Sequence, residues 1–175
     1  MGADIHSFAE RKVDNKWIRV EELIFGDKNE LTQSPFDWRS YAVFGFLADV
    51  RNYSNCIPIS ELKGLPDDSE YLNSDSGYDN KTVLFEIMYS DDYHSYSWLS
   101  LKELLDFNYD QTFEDLRVSK QIASNVWSGA QIADKGEGVI TTYREHLGAS
   151  YFNDLEVLKS LGEPEDVRIV FWFDN

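Results

Sequence analysis

Asp4 and His6 stand two apart in a run, Asp4-Ile5-His6-Ser7-Phe8-Ala9, that reads as a strand, so both side chains leave the same face. A carboxylate and an imidazole on an otherwise apolar strand either satisfy one another inside the core or line a cavity. A second concentration of polar chemistry is His94-Ser95-Tyr96-Ser97-Trp98. It runs into Ser100-Leu101-Lys102-Glu103, a capping box, which puts His94 and its two serines at a helix entrance. Backbone donors at such a place favour anions, and His94 there could bind phosphate, carry a proton or ligate a metal. The plainer alternative is a turn in which Ser95 and Ser97 cap the backbone. Arg51-Asn52-Tyr53 supplies a third candidate group. An Arg fork matches phosphate or carboxylate, although 32 acidic residues offer it many structural partners.

Metal chemistry has few donors. Asp4, His6, His94 and Asp174 are suitable ligand types, but they are scattered along the chain. Asn73-Ser74-Asp75-Ser76-Gly77 superficially suggests a calcium loop. It fails because the glycine is out of register and Leu84 stands where a bidentate Glu belongs. No metal and no cofactor is therefore expected. Walker A, GxGxxG, HExxH and GxSxG patterns do not occur, which removes the common classes that depend on them.

The elements that must position these residues form an α+β pattern, a mostly antiparallel sheet with several packed helices in a single domain over 1–175. Residues 4–10 and 17–20 predict a hairpin turning at Asp14-Asn15-Lys16. Residues 23–38 predict irregular loop. Residues 39–51 predict a helix, with Tyr41, Phe44, Leu47 and Ala48 on one face and Arg51 in the last turn. Residues 52–80 read as a long loop, 82–89 as a strand, and 100–105 as a short capped helix. A helix is expected at 112–126, followed by helical pieces at 140–147 and 151–161 separated at Gly148. Val167–Phe173 is a nearly unbroken apolar run, which predicts a strand covered on both faces.

Composition narrows the partners. A formal net charge of -16 repels phosphate backbones and anionic membrane surfaces, so neither nucleic acid nor membrane is an expected partner. Between Pro66 and His94 there are eight acidic residues and one Lys, so much of that charge gathers there. One cysteine, Cys56, excludes a disulfide framework within the chain. The amino terminus lacks the features of a signal peptide, and no apolar stretch approaches a membrane span, so a reducing cytosol is the expected setting.

Gly2-Ala3-Asp4-Ile5-His6, Val50-Arg51-Asn52, Lys63-Gly64-Leu65-Pro66-Asp67-Asp68, His94-Ser95-Tyr96-Ser97-Trp98-Leu99 and Val167-Arg168-Ile169-Val170-Phe171-Trp172-Phe173-Asp174-Asn175 together resemble a family of small bacteriophage-encoded proteins. The resemblance covers both ends of the chain and leaves residues 110–160 unmatched. It implies a phage product acting in the cytosol of a host bacterium, and by analogy with accessory phage proteins an anti-defence role.

The leading expectation is a protein that sequesters a nucleotide-derived immune signal of the cyclic dinucleotide or cyclic ADP-ribose type. Arg51, His94 and Ser97 would hold phosphate or ribose hydroxyls, with Asn52 and Ser95 beside them. Tyr53, Tyr96 and Trp98 would wall the base, and Asp4, His6 and Asp174 would complete the site. Sequestration needs roughly nanomolar affinity, about -12 kcal/mol, which favours an enclosed pocket; a homo-oligomer is one way to enclose it. Two alternatives stand beside it. One is an enzyme cleaving such a signal, with His6 and His94 as acid and base. The other is an acidic decoy imitating DNA to occupy a host protein.

Overall fold

The computed structural model describes residues 2–123 and 126–175. In chain order its elements are β1 (Asp4–Val13), β2 (Lys16–Arg19), β3 (Phe25–Asp27), β4 (Glu30–Thr32), α1 (Tyr41–Ala48), α2 (Val83–Met88), β5 (Tyr93–Ser100), α3 (Leu101–Asp106), β6 (Thr112–Asp115), β7 (Arg117–Ala123), β8 (Val126–Ile132), β9 (Val139–Thr142), α4 (Tyr143–Lys159) and β10 (Val167–Asp174). The α+β class and the mostly antiparallel sheet stand. The chain gathers into two compact units. One comprises Met1–Arg39, Glu61–Phe107 and Ala149–Asn175, the other Ser40–Ser60 and Asn108–Gly148.

The first unit is built on a four-stranded antiparallel sheet ordered β2-β1-β10-β5. Asp14 and Asn15 both adopt positive φ, 50° and 62°, which is the type I′ geometry that joins β1 to β2. β10 lies between β1 and β5 and is buried on both faces from Val167 to Phe173, as its unbroken apolar sequence requires. Phe8, Val170 and Trp172 form a cluster with Leu72 of the long loop and Ile87 of α2. Burying each such side chain is worth about 1.5–3 kcal/mol.

Two polar groups fix the loops around this sheet. Asp154, buried in the second half of α4, accepts hydrogen bonds from the Gly26 N–H (2.9 Å) and the Phe36 N–H (2.7 Å). Burial pushes its carboxyl above the ordinary value, against the pull of those two donors. The same contacts hold Phe36 at φ 60°, a conformation bulky residues avoid, with its ring stacked on Tyr151. Glu10 and Arg168, both buried, form an ion pair at 2.7 Å, and Ser69 donates a short hydrogen bond to the other Glu10 oxygen. The Arg168 guanidinium also lies 4.1 Å from the Trp17 ring. Its Nη2 sits 2.8 Å from Asp68 Oδ1, near enough to pair yet misaligned for a hydrogen bond.

In the second unit α1 starts at Ser40, whose side chain accepts from the Val43 N–H, and ends at Asp49 in the left-handed region. Asn52 folds back over the helix. Its amide bonds Asp49 and both backbone groups of Cys56, and a Cβ on Gly45 would come within 2.8 Å of it. β6 pairs with β9, and β7 with β8.

Several expectations are corrected. Residues 82–89 form α2 rather than a strand, because the Thr82 hydroxyl caps the Phe85 N–H and starts a helix despite the β-branched content. The expected helix at 112–126 is β6 and β7, which find antiparallel partners instead; residues 124 and 125 lie outside the described residues. The 23–38 loop contains the short hairpin β3–β4. Residues 140–142 belong to β9, and helix begins at Tyr143. The separation at Gly148 is real: its φ of 77° interrupts α4. Arg51 lies beyond α1, at φ 49°, so it does not complement that helix's dipole.

Candidate functional site

The β1–β10 register gathers the amino- and carboxyl-terminal candidates. Asp4 faces Asp174 and His6 faces Trp172. The His6 Nε2 lies 3.0 Å from Asp174 Oδ2, and the Asp4 N–H donates to Asp174 Oδ1 at 3.2 Å. The His6 ring stacks over Trp172 at 5.5 Å and meets Tyr93 of β5 at 5.0 Å. Asp4 itself is engaged by the Arg39 guanidinium in a two-pronged contact of 2.8 and 2.6 Å, which lowers its pKa.

β5 does not keep its candidates together. His94-Ser95-Tyr96-Ser97-Trp98 is strand, not a helix entrance; the helix starts later, at Leu101, under the capping box of Ser100 and Glu103. Opposite Phe171–Phe173 this strand carries one extra residue, a bulge in which Ser95 takes φ 55°. The bulge pairs His94 with Phe173, on the sheet face opposite His6 and Trp172. There His94 Nδ1 meets Ser95 Oγ at 2.8 Å and its buried Nε2 has no hydrogen-bond partner among the described residues. Ser97 is buried and accepts from the Lys63 N–H. Tyr96 and Trp98 stay on the Trp172 face, where Tyr96 donates to the Tyr93 carbonyl and Trp98 lies under the Lys63 ammonium.

Arg51, Asn52 and Tyr53 belong to the other unit. Asn52 is consumed by the loop that it staples, and Arg51 Nη1 lies 3.4 Å from the Tyr53 hydroxyl. Cys56 is buried in that loop, and desolvation, with Asp49 and Asp115 adding to it, pushes its thiol up to about 12. It stays a thiol and is no nucleophile at neutral pH. Among the described residues no group of three or more His, Cys, Asp or Glu side chains is arranged to hold a metal ion.

What the sequence reading missed is the pair that completes the His6 face. Arg19, at the end of β2, lays its guanidinium over Tyr71 (4.3 Å) and Phe8 (5.6 Å). Among the described residues no carboxylate lies within 4.0 Å of it, and its buried Nε has no hydrogen-bond partner. Trp172 is 8% exposed, and its indole Nε1 is likewise buried without a partner. Both residues line a cavity of about 350 Å³ together with His6, Ser7, Ser34 and Asp37. Tyr71 and Trp172 are shared with a larger cleft of about 620 Å³ beneath α2. A third cavity, about 390 Å³, presents Asp27, Glu30 and Asp37 beside Trp38, a lining unsuited to an anion.

A half-buried guanidinium stripped of carboxylate partners is unusual where acids outnumber bases two to one. Alongside a buried indole N–H with no acceptor among the described residues and an imidazole hydrogen-bonded to a carboxylate, it makes this cavity the candidate site. No family model, curated protein or solved structure matches the chain.

Proposed function

We propose that this protein binds and holds a small anion of the nucleotide-derived class, with Arg19, His6 and Trp172 as the seat of its anionic group. One observation carries the reading: Arg19 and Trp172 line the same cavity, and among the described residues neither the buried Arg19 Nε nor the buried Trp172 indole N–H has a hydrogen-bond acceptor. A buried donor left unmade costs about 1–3 kcal/mol, which a ligand oxygen recovers on binding. Asp37, exposed on the cavity wall, opposes an anion and helps to set a preference for ligands held deep against Arg19. Of the residues expected from sequence, His6 lines this cavity with Asp174 hydrogen-bonded to it, while Asp4 is engaged by Arg39; Tyr96 and Trp98 pack on the same sheet face, and in this reading the phosphate-holding role falls to Arg19 rather than to Arg51 and His94. Sequestration of an immune signal in an infected bacterium is the biological setting that this binding would serve.

Isothermal titration with inorganic phosphate and nucleoside monophosphates tests the seat. Arg19→Gln is expected to weaken binding at least tenfold, about 1.4 kcal/mol, with the fold unchanged by circular dichroism. Undiminished binding by that variant removes the proposal.

A second reading has its own observation, the 3.0 Å contact between His6 and Asp174. In it the His6 imidazole takes a proton from water as the water oxygen bonds to phosphorus, the P–O ester bond breaks, and the proton passes on to the departing alkoxide. Chromatography of the ligand after prolonged incubation separates the two: intact ligand supports holding, and a product that disappears in His6→Asn supports turnover.

A further inference from the structure

The larger cleft beside the anion seat has no role yet. Half of its lining is aromatic, with Tyr71, Tyr78, Phe85, Tyr89, Tyr93 and Trp172. Two of these rings are held in water: Tyr78 is 72% exposed and Tyr89 is 73% exposed. Tyr89 is not loose, since its ring stacks on Phe85 at 4.0 Å and an 18° tilt, giving a fixed flat face at the end of α2. Lys81 brings a cation 5.1 Å from the Phe85 ring, with only distant carboxylates, 3.9 Å away, to neutralise it.

We infer that this cleft is the ring-binding half of the site, so that one ligand spans both cavities, its planar base against Tyr89 and Tyr78 and its anionic group on Arg19. The inference rests on the anion seat proposed above and adds the class of molecule that seat belongs to. Continuity carries it: Tyr71 and Trp172 line both cavities, so a ligand reaching from one to the other passes over the Trp172 indole, whose buried N–H has no acceptor among the described residues. The volume, about 620 Å³, is within the range of small-molecule pockets. Every base offers a π-face, so stacking supplies affinity with little choice among bases. A longer nucleic acid is disfavoured, because the eight carboxylates between Pro66 and His94 surround the cleft's own segment and repel further phosphates.

Titrations of inorganic phosphate, adenosine and AMP against the full chain and against Tyr89→Ala and Tyr78→Ala test it. Both tyrosines are exposed, so their loss leaves the fold intact. AMP is expected to bind at least tenfold more tightly than phosphate. Each tyrosine variant is expected to lose about tenfold toward AMP and less than twofold toward phosphate. If AMP binds no more tightly than phosphate, or the variants leave AMP binding unchanged, the ring-binding half is overturned while the anion seat stands. If adenosine binds in a tyrosine-dependent manner and phosphate does not bind, the cleft stands and the anion seat falls. If none of the three binds, both are overturned.

Discussion

Glu10 and Arg168 face each other across β1 and β10 with almost no surface exposed, and that pair sets the cost of touching either residue. Glu10→Gln removes one charge and leaves the other buried, with only the misaligned Asp68 in reach. The expected loss is about 3–5 kcal/mol, read as a lower urea midpoint. His146, in α4, has a side chain 6% exposed and lies 3.4 Å from Asp115 through Nδ1. Its Nε2 is buried with no hydrogen-bond partner among the described residues. Burial holds this imidazole below the ordinary histidine value, outweighing the attraction of Asp115. The folded chain therefore takes up that proton less readily than the unfolded chain. Its contribution to stability is full above the ordinary histidine pKa, about 6.5, and is lost as pH falls through the depressed value. Urea midpoints at pH 7.5 and pH 5 should differ in the native chain, and His146→Gln should narrow that difference.

β10 carries the sheet. Phe171 has no exposed surface and sits between Ser7 and Ser97 in register, so Phe171→Ala is expected to cost about 3–5 kcal/mol by denaturant unfolding. Gly148 tests backbone rather than packing. Nothing lies within 4 Å of a Cβ there, yet its φ is 77°. With ψ at 172° this backbone lies in a region almost reserved for glycine, so Gly148→Ala should cost about 1–3 kcal/mol through conformation alone, where a purely steric view expects no change. The elements readable in the sequence are those with a local cause. Asp14-Asn15 writes its turn, Ser100 and Glu103 write their cap, and the apolar run of β10 writes a doubly covered strand. The unreadable ones depend on partners. Residues 112–115 become strand because 139–142 lie beside them. α2 was hidden by β-branched residues that its Thr82 cap overrides. The shared face of Asp4 and His6 was legible from strand alternation, but their meeting with Asp174 depends on the pairing of β1 with β10, which no local signal announces. The separation of His94 from them was not legible, since one extra residue at Ser95 turns it to the other face. Arg19 and Trp172 carried a faint signal, an Arg closing a strand and a Trp within an apolar run, but their lack of partners is visible only in three dimensions.

At the scale of the molecule, a net charge of -16 surrounds a site proposed to take an anion. The far field repels what the near donors attract. Screening shortens the reach of that field to about 8 Å at physiological ionic strength. The association rate of AMP should therefore rise between very low salt and about 0.15 M, followed by tryptophan fluorescence in stopped flow. A rate that falls over this interval would point to a locally positive approach path instead.

The order of strands in the sheet has a consequence for synthesis. β1 is made first, and the strand that covers its inner edge, β10, is made after every other element described here. A nascent chain that has reached residue 160 holds β1 and β2 as a lone hairpin, with Ile5, Phe8 and Ala9 lacking their cross-strand partners. Such a hairpin is marginal by itself, so the first unit closes only after residue 174 has left the ribosome. Until then the aromatic face that later surrounds Trp172 is open to whatever chaperone or partner reaches it first, and the proposed site comes into being in the same event that completes the core.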